Sequence, residues 1–277
     1  MRNVAKTTTL ENKFPLLAVE NNCILSKDAD ITTCFEVRLP ELFTVASVEY
    51  EVIHSAWHKA IKTLPDFTVI HKQDWYIKES YSPDLAMEDQ SFLSKSYQRH
   101  FNERPFLNHY CYLFLTKTTK DRMRMQSNFS SLCKGTLIPK EIRNKETIHH
   151  FMEAVAQFER IVNDSGFITL KRLTEEEIIG TEDTQGLLEQ YLTLSREAGT
   201  PMQDIALGTE EVRIGNKRLS LHTLSDTDDL PGTVSADTRF EKLSTDRSDC
   251  RLSFAAPVGL LLSCNHIYNQ YLFLDNS

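Results

Sequence analysis

The sequence predicts an α+β fold for this chain of 277 residues. Apolar and polar residues alternate over 31–39, which is typical of a half-buried strand. Apolar stripes at helical spacing occur over 52–64 and 148–162, and residues 110–115 are apolar on both faces of a strand. With 40% hydrophobic and 25% charged residues, the chain has the composition of one large or two small globular domains.

The first predicted elements are a strand and a helix. The strand covers residues 31–39, and Pro40 ends it. Ser47 is the predicted N-cap of a helix, because acidic residues follow in the first turn and the apolar stripe over 52–64 comes next. Pro65 closes this helix.

The central part of the chain adds two strands and a polar helical arm. Residues 67–77 are rich in β-formers with polar interruptions, which predicts an exposed, extended hairpin strand. A polar helix is predicted over 88–102, within an arm of about 80–105, and its inward residues are Phe92, Leu93 and Phe101. Residues 110–116 form a strand that is covered on both faces or packed at an interface.

A second amphipathic helix and a further strand complete the predicted sheet. The helix over 148–162 ends in Asn-Asp-Ser-Gly at 163–166, a left-handed C-cap signal, and a strand follows over 167–173. Leaving the arm aside, the order is strand, helix, strand, strand, helix, strand. This order predicts a ferredoxin-like split βαβ domain for residues 1–175.

Residues 176–277 are predicted to form a helical and β-rich segment. Its predicted elements are one helix or a helix pair over 175–177 and 183–196, a hairpin over 212–219, a polar loop over 226–237, and strands over 252–263 and 267–274. Gly215-Asn216 supplies the positive φ values of the hairpin turn.

Charge and cysteine use exclude several classes of protein. A formal net charge of −8 and a pI near 5.6 argue against a protein whose whole surface binds nucleic acid. No apolar region follows the basic N-terminus, and the apolar stretch 254–264 is too short to span a bilayer, so a cytoplasmic chain without a transmembrane segment is expected. The six cysteines lack a Cys-x-x-Cys spacing and are expected to be reduced thiols.

The motifs of catalysis are missing from the sequence. Gly208–Lys217 comes nearest to a phosphate loop, but its glycine spacing is wrong and it predicts a hairpin turn. No Gly-x-Ser-x-Gly elbow is present. The acidic stretch 226–237 lacks the spacing of a calcium loop, and His54 and His58 flank a core tryptophan without a third ligand. The sequence therefore predicts no catalytic, cofactor-binding or metal-binding residue.

A local basic cluster is the one candidate partner-binding site. Its residues follow the strand over 110–116 and are Lys117, Lys120, Arg122, Arg124 and Lys134. Such a cluster can contact DNA, anionic lipid headgroups or an acidic protein, and a protein partner is favoured over DNA. A solvated connection is the alternative.

Four short strings resemble one protein family. Thr8–Pro15, Asp28–Ile31, Phe101–Phe106 and Tyr268–Tyr271 resemble the N-terminal part of the TraG-type ATPases of conjugative transposons. These are similar to the VirB/TrbE/CagE ATPases of type IV secretion. The resemblance extends over essentially the whole chain, and none of the strings is a catalytic signature.

The resemblance implies a homo-oligomeric motor on the cytoplasmic face of the inner membrane. ATP and magnesium are expected only in a C-terminal RecA-like domain that carries the Walker motifs. The last residues, Asp275-Asn276-Ser277, are a helix-cap signal without a helix, so the chain is expected to be truncated before that domain. Its expected role is non-catalytic docking on inner-membrane components and on other motor subunits. A nucleic-acid-contacting module that uses the basic cluster is the alternative.

Overall fold

A computed structural model describes residues 14–28, 30–40, 45–80, 91–118, 145–196, 199–223 and 264–275. Within these ranges the protein is a mixed α+β fold with two antiparallel sheets and five helices. The predicted α+β class is confirmed at this level.

The helices and strands are numbered in chain order. The strands are β1 (Leu16–Glu20), β2 (Cys23–Ser26), β3 (Ile31–Arg38), β4 (Thr68–Glu79), β5 (Phe106–Lys117), β6 (Thr169–Arg172), β7 (Ile205–Leu207), β8 (Val212–Ile214), β9 (Lys217–Leu219) and β10 (His266–Leu274). The helices are α1 (Ser47–Ile61), α2 (Phe92–Asn102), α3 (Lys145–Asn163), α4 (Glu175–Ile179) and α5 (Leu187–Thr193).

The main sheet has seven strands, and all of its strand pairs are antiparallel. Six strands follow the spatial order β1-β2-β3-β5-β4-β10, and β6 pairs with β3. One edge of β3 is shared, because β2 pairs with residues 31–33 and β6 pairs with residues 35–38. Strands β7, β8 and β9 form a separate small sheet.

Two hydrophobic layers enclose the main sheet. On one face, α1 and α3 cover the sheet, and the Trp57 ring meets the edge of Phe158 at 5.7 Å between ring centroids. On the other face, Ile178 and Leu187 of α4 and α5 pack with the fully buried Trp75. Strand β5 contributes buried residues to both layers, so the prediction of a strand covered on both faces is confirmed.

The start of α1 corrects the predicted cap. The helix begins at Ser47, and its N-cap is Ala46, which has no side-chain oxygen. The backbone N–H of Ala46 instead donates to Glu49 Oε2 at 2.6 Å. A carboxylate three residues into the helix thus satisfies this amide and complements the positive end of the helix dipole.

The position of β4 corrects the prediction of an exposed hairpin strand. It pairs with β5 on one side and with β10 on the other, and Trp75 has no exposed surface. The polar interruptions that suggested exposure are Gln73 and Asp74, and both are buried. Other side chains satisfy the hydrogen-bonding groups of both residues. Polar residues in this part of the sequence therefore did not indicate exposure to solvent.

The inward residues predicted for α2 are wrong. Phe92 is 82% exposed and Leu93 is 77% exposed, whereas the polar Gln98 is buried. The side chain of Phe101 lies outside what the structure describes. An apolar stripe is a property of the helix alone, and it does not reveal whether another element of the same chain covers it.

A hairpin formed by β1 and β2 was missed in the sequence. Asn21 and Asn22 both have positive φ, at 53° and 61°, and they join the two strands in a two-residue turn. Asn tolerates this left-handed conformation better than other non-glycine residues do, and it suits the tight hairpins whose turn twist matches the twist of the strands. Asn-Asn between two apolar runs was the available signal.

The remaining predicted elements divide into confirmed and untested ones. Gly166 after α3 and Gly215 between β8 and β9 have the expected positive φ, at 76° and 58°, whereas Asn216 does not have the positive φ that was predicted for it. The helix pair α4 and α5 and the strand β10 lie where they were predicted. The predicted loop 226–237 and strand 252–263 lie outside the described residues. None of the described helices has both the length and the apolar character needed to cross a membrane.

Candidate docking surface

The predicted basic cluster is described at one position only. Lys117 ends β5, where its ammonium group donates to the backbone oxygen of Asp66 and lies 5.5 Å from the centre of the Phe67 ring. The other members, Lys120, Arg122, Arg124 and Lys134, lie outside the described residues. At Lys117 the positive charge therefore has local partners at the end of the sheet.

Strand β10 provides the most extensive candidate surface. It is nine residues long and pairs in continuous register with β4, from His266 opposite Tyr76 to Leu274 opposite Thr68. In the described part of the chain, no strand pairs with its other edge. Tyr271 and Phe273 are 57% and 61% exposed, so the strand presents aromatic side chains together with an open edge.

Two ladders of rings cross β10, β4 and β5, one on each face of the sheet. On the α1/α3 face, the Tyr76 ring stacks between the rings of His109 and His266, with centroids 4.8 Å away on both sides. These residues are directly opposite one another in the strand register. Aromatic cross-strand neighbours stabilise a sheet, so this ladder fixes the register of β10.

The second ladder lies on the α4/α5 face, closer to the C-terminal end of β10. The His71 ring lies 4.1 Å from Tyr271 and 5.3 Å from Phe114, measured between centroids. Phe273 continues the surface at 6.5 Å from Tyr271. Because Tyr271 and Phe273 are largely exposed, this ladder forms an aromatic patch beside the open edge.

A chain of amide hydrogen bonds locks β10 onto β4 beneath this patch. Trp75 Nε1 donates to Gln73 Oε1, and Gln73 Nε2 donates to Asn269 Oδ1, both at 2.9 Å. His71 Nε2 also lies 2.9 Å from Asn269 Oδ1, so it donates to the same oxygen. Asn269 thus satisfies the buried Gln73, and partial burial lowers the pKa of His71 below 6.5 despite this bond.

A shallow apolar groove follows β10 on the α1/α3 face. Its volume is about 300 Å³, and it is lined by Trp57, Ile61, Ile70, Lys72, Leu113, Gln270, Tyr271 and Leu272. The groove is open because α1 and α3 cover β3 and β5, whereas this face of β10 extends beyond them. Apolar surface is therefore continuous from α1 to the sheet edge.

A charged centre lies farther along the same face. The buried Asp74 carboxylate accepts from His109 Nε2 at 2.9 Å and forms an ion pair with Lys72. Burial raises the pKa of Asp74, but the hydrogen bond from His109 and the charge of Lys72 outweigh it, so the pKa is held below its usual value. The ionised form is thereby retained, and the centre is a satisfied structural network.

Three buried thiols in the described part of the chain are chemically quiet. Burial raises the pKa of Cys111 to about 12, and it also raises the pKa of Cys23 and of Cys34. A protonated, buried thiol is a poor nucleophile and a poor metal ligand. Within the described residues, no group of His, Cys, Asp or Glu side chains has an arrangement that would hold a metal ion.

A second exposed apolar surface lies on α2. Phe92, Leu93 and Tyr97 are more than half exposed on a short helix between β4 and β5. The two surfaces differ in kind, because α2 offers side chains alone whereas β10 also offers backbone hydrogen-bonding groups along its open edge.

Comparison with known proteins gives one assignment of a part of the chain. A family model described as "Domain of unknown function, B. Theta Gene description (DUF3875)" matches residues 3–55. The match includes the β1–β2 hairpin, β3 and the first half of α1, and it does not reach β10. No match to a curated protein was found.

Proposed function

We propose that this chain is the assembly and docking domain of a conjugative-transfer motor of the type IV secretion class. The observation that carries the proposal is the uncharged edge of β10, with which no strand in the described ranges pairs, together with its exposed aromatic patch. Soluble proteins rarely leave such an edge without a partner, because unpaired backbone groups beside apolar side chains bind other strands.

The resemblance of the sequence to TraG-type ATPases supplies the biological setting of this proposal. Two of the resembling strings include described residues of the main sheet: Asp28 lies in the turn after β2 and Ile31 begins β3, and Tyr268–Tyr271 lies within β10. Tyr268–Tyr271 includes Asn269, whose hydrogen bonds hold β10 against β4. Such a structural role explains why a string without a catalytic function would be shared with the TraG-type ATPases. We assign no ATP or magnesium site to these 277 residues.

We further propose that β3, α1, β4, β5, α3 and β6 form a ferredoxin-like split βαβ unit. Three features support it: the spatial order β6-β3-β5-β4, the antiparallel pairing of each neighbouring pair, and the packing of α1 and α3 on one face. In this arrangement β10 extends the unit beyond β4.

The motor's proposed position is the cytoplasmic face of the inner membrane. There the chain would contact inner-membrane components of the conjugation apparatus and neighbouring motor subunits. The exposed apolar residues of α2 and β10 are the proposed contact points, because aromatic side chains supply much of the energy of protein interfaces.

The test places a photo-cross-linking amino acid at Phe273 or at Phe92 in cells that carry out conjugation. We expect adducts with inner-membrane proteins of the apparatus from at least one position. The matched control is Leu221, which is 83% exposed and lies outside both surfaces. Adducts that are no more frequent than at Leu221, or hydrolysis of ATP by the purified chain, would contradict the proposal.

A further inference from the structure

The helix α2 has its polar and apolar residues arranged opposite to those of α3. Among the described side chains of α2, only the polar Gln98 is buried, whereas Phe92, Leu93 and Tyr97 are 82%, 77% and 68% exposed. The buried residues of α3 are all apolar. A helix in water normally turns its apolar residues toward the body of the protein, so the reversal in α2 indicates that its outer surface meets an apolar environment.

The place of α2 in the chain puts these residues at one end of the main sheet. Strands β4 and β5 remain paired as far as Glu79 opposite Phe106, and α2 lies in the connection between these two residues. The pairing of β4 with β10 ends at Tyr76, so the β4–β5 hairpin extends past β10 at this end. Phe106 is itself 42% exposed. An extended hairpin thus carries the exposed apolar residues.

The charges of α2 complement an anionic surface. Lys95 and Arg99 are exposed, and the helix contains no acidic residue. Glu103, just after the helix, pairs with Arg99, but both groups are exposed and such a pair is weak. Before the helix, the sequence has the acidic residues Asp84, Glu88 and Asp89. The cationic surface is therefore confined to the helix itself.

We propose, building on the proposed position at the inner membrane, that α2 binds the surface of an anionic lipid bilayer. Phe92, Leu93 and Tyr97 enter the boundary between headgroups and acyl chains, and Lys95 and Arg99 contact the headgroup phosphates. Aromatic and aliphatic residues combined with cationic ones are typical of helices that lie flat at this boundary. Long cationic side chains reach the headgroups while their carbon chains stay on the apolar surface.

A bilayer suits α2 better than a folded protein does. Protein interfaces depend on shape complementarity and are depleted of lysine. A fluid bilayer accommodates projecting side chains without a matching pocket, and its anionic headgroups attract each nearby Lys or Arg. The whole chain has a net charge of −8, so an anionic bilayer repels most of the molecule. The two cations of α2 therefore also orient the chain, with the tip of the β4–β5 hairpin toward the lipid.

The experiment measures binding of the 277-residue chain to vesicles by co-sedimentation. Equimolar vesicles of phosphatidylglycerol and phosphatidylcholine should bind the chain at least about tenfold more tightly than phosphatidylcholine alone. Phe92→Ser with Leu93→Ser should weaken binding to the anionic vesicles at least about tenfold at every salt concentration. Lys95→Glu with Arg99→Glu should weaken it at least about tenfold in low salt, and this difference should shrink as salt is added.

Leu207→Ser with Leu221→Ser is the matched control, because these leucines are 79% and 83% exposed and lie outside α2. The control should bind vesicles as the unmodified chain does, and circular dichroism confirms that each variant is folded.

Three results would overturn the inference: no binding to anionic vesicles, equal binding to both kinds of vesicle, and unchanged binding after either double substitution in α2. Cross-links from Phe92 to protein but none to lipid would likewise assign α2 to a protein partner. Loss of the lipid contact with retained cross-links from Phe273 to inner-membrane proteins would refute this inference alone and leave the docking function standing.

Discussion

At the scale of single residues, the attachment of β10 depends on a few polar side chains that the sequence presented as interruptions. Asn269 accepts hydrogen bonds from the buried Gln73 and from His71, and Gln73 in turn accepts from the Trp75 indole. Each of these groups would be costly to bury without a partner. The network therefore specifies the register of β10 as well as stabilising it.

Replacing Asn269 with Ala should destabilise the protein by leaving the Gln73 amide group without its acceptor. We expect a loss of about 1–3 kcal/mol in the free energy of unfolding, measured by urea denaturation. Gln270→Ala, on the adjacent exposed residue, should change it by less than about 0.5 kcal/mol. Equal effects of the two substitutions would mean that the network does not hold the strand.

The depressed pKa of His71 should make stability fall in mild acid. Because partial burial lowers this pKa in the folded state below the ordinary value of 6.5, the unfolded chain binds more protons in the window below pH 6.5. Stability therefore decreases as the pH falls from 6.5 toward the folded pKa. His71→Phe keeps an aromatic ring beside Tyr271 and should flatten urea midpoints across this window; an unchanged slope would show that another group titrates.

At the scale of secondary structure elements, α1 and α3 differ from α2 in what covers their apolar faces. Five residues of α3 are buried against the sheet and α1, whereas Phe92, Leu93 and Tyr97 of α2 are exposed. All three helices have apolar residues at helical spacing. The apolar residues stabilise the fold only in α1 and α3, which lie on the sheet. The stabilising free energy is proportional to the apolar area that is removed from water.

Substitutions of phenylalanine in α3 and α2 should therefore differ greatly. Phe158→Ala empties a site that touches Trp57 and should lower the free energy of unfolding by about 3–5 kcal/mol. Phe92→Ala removes a ring that is 82% exposed and should change it by no more than about 0.5 kcal/mol. A large effect at Phe92 would reveal that α2 is covered within the isolated chain.

At the scale of the whole molecule, one sheet is shared by both hydrophobic layers. Trp57 lies on the α1/α3 face and Trp75 on the α4/α5 face, and β5 contributes to both layers. Strand β10, from the far end of the sequence, pairs along its own full length with residues 68–76 of β4. Unfolding of one layer would expose the other, so we expect both to be lost together.

The two tryptophans allow this cooperativity to be measured. Trp57→Phe leaves Trp75 as the sole tryptophan, and Trp75→Phe leaves Trp57. In each variant, the fluorescence transition in urea should coincide with the transition in circular dichroism, as two-state unfolding requires. Transitions that separate in either variant would indicate that the two layers unfold independently.

The sequence predicted best where structure depends on near neighbours. Periodic apolar residues identified β3, β5, α1 and α3, and a glycine with positive φ follows α3 as predicted. The same local signals failed at Ser47, because the N-cap of α1 is the preceding residue, Ala46. They also missed the Asn-Asn hairpin, whose signal was present but weaker than a glycine turn.

By itself, the sequence determined the α+β class, the main amphipathic elements and the uncharged character of residues 266–274. Only the tertiary structure decided that these residues pair with β4 as the last strand of the described main sheet, that Gln73 and Asp74 are buried, and that Phe92 and Leu93 of α2 are exposed. Strand pairing joins residues almost 200 positions apart through backbone groups that all residues share. The local sequence therefore contains little information about which strands pair. The spacing of apolar residues within one helix or strand, by contrast, follows from the backbone geometry of that element alone.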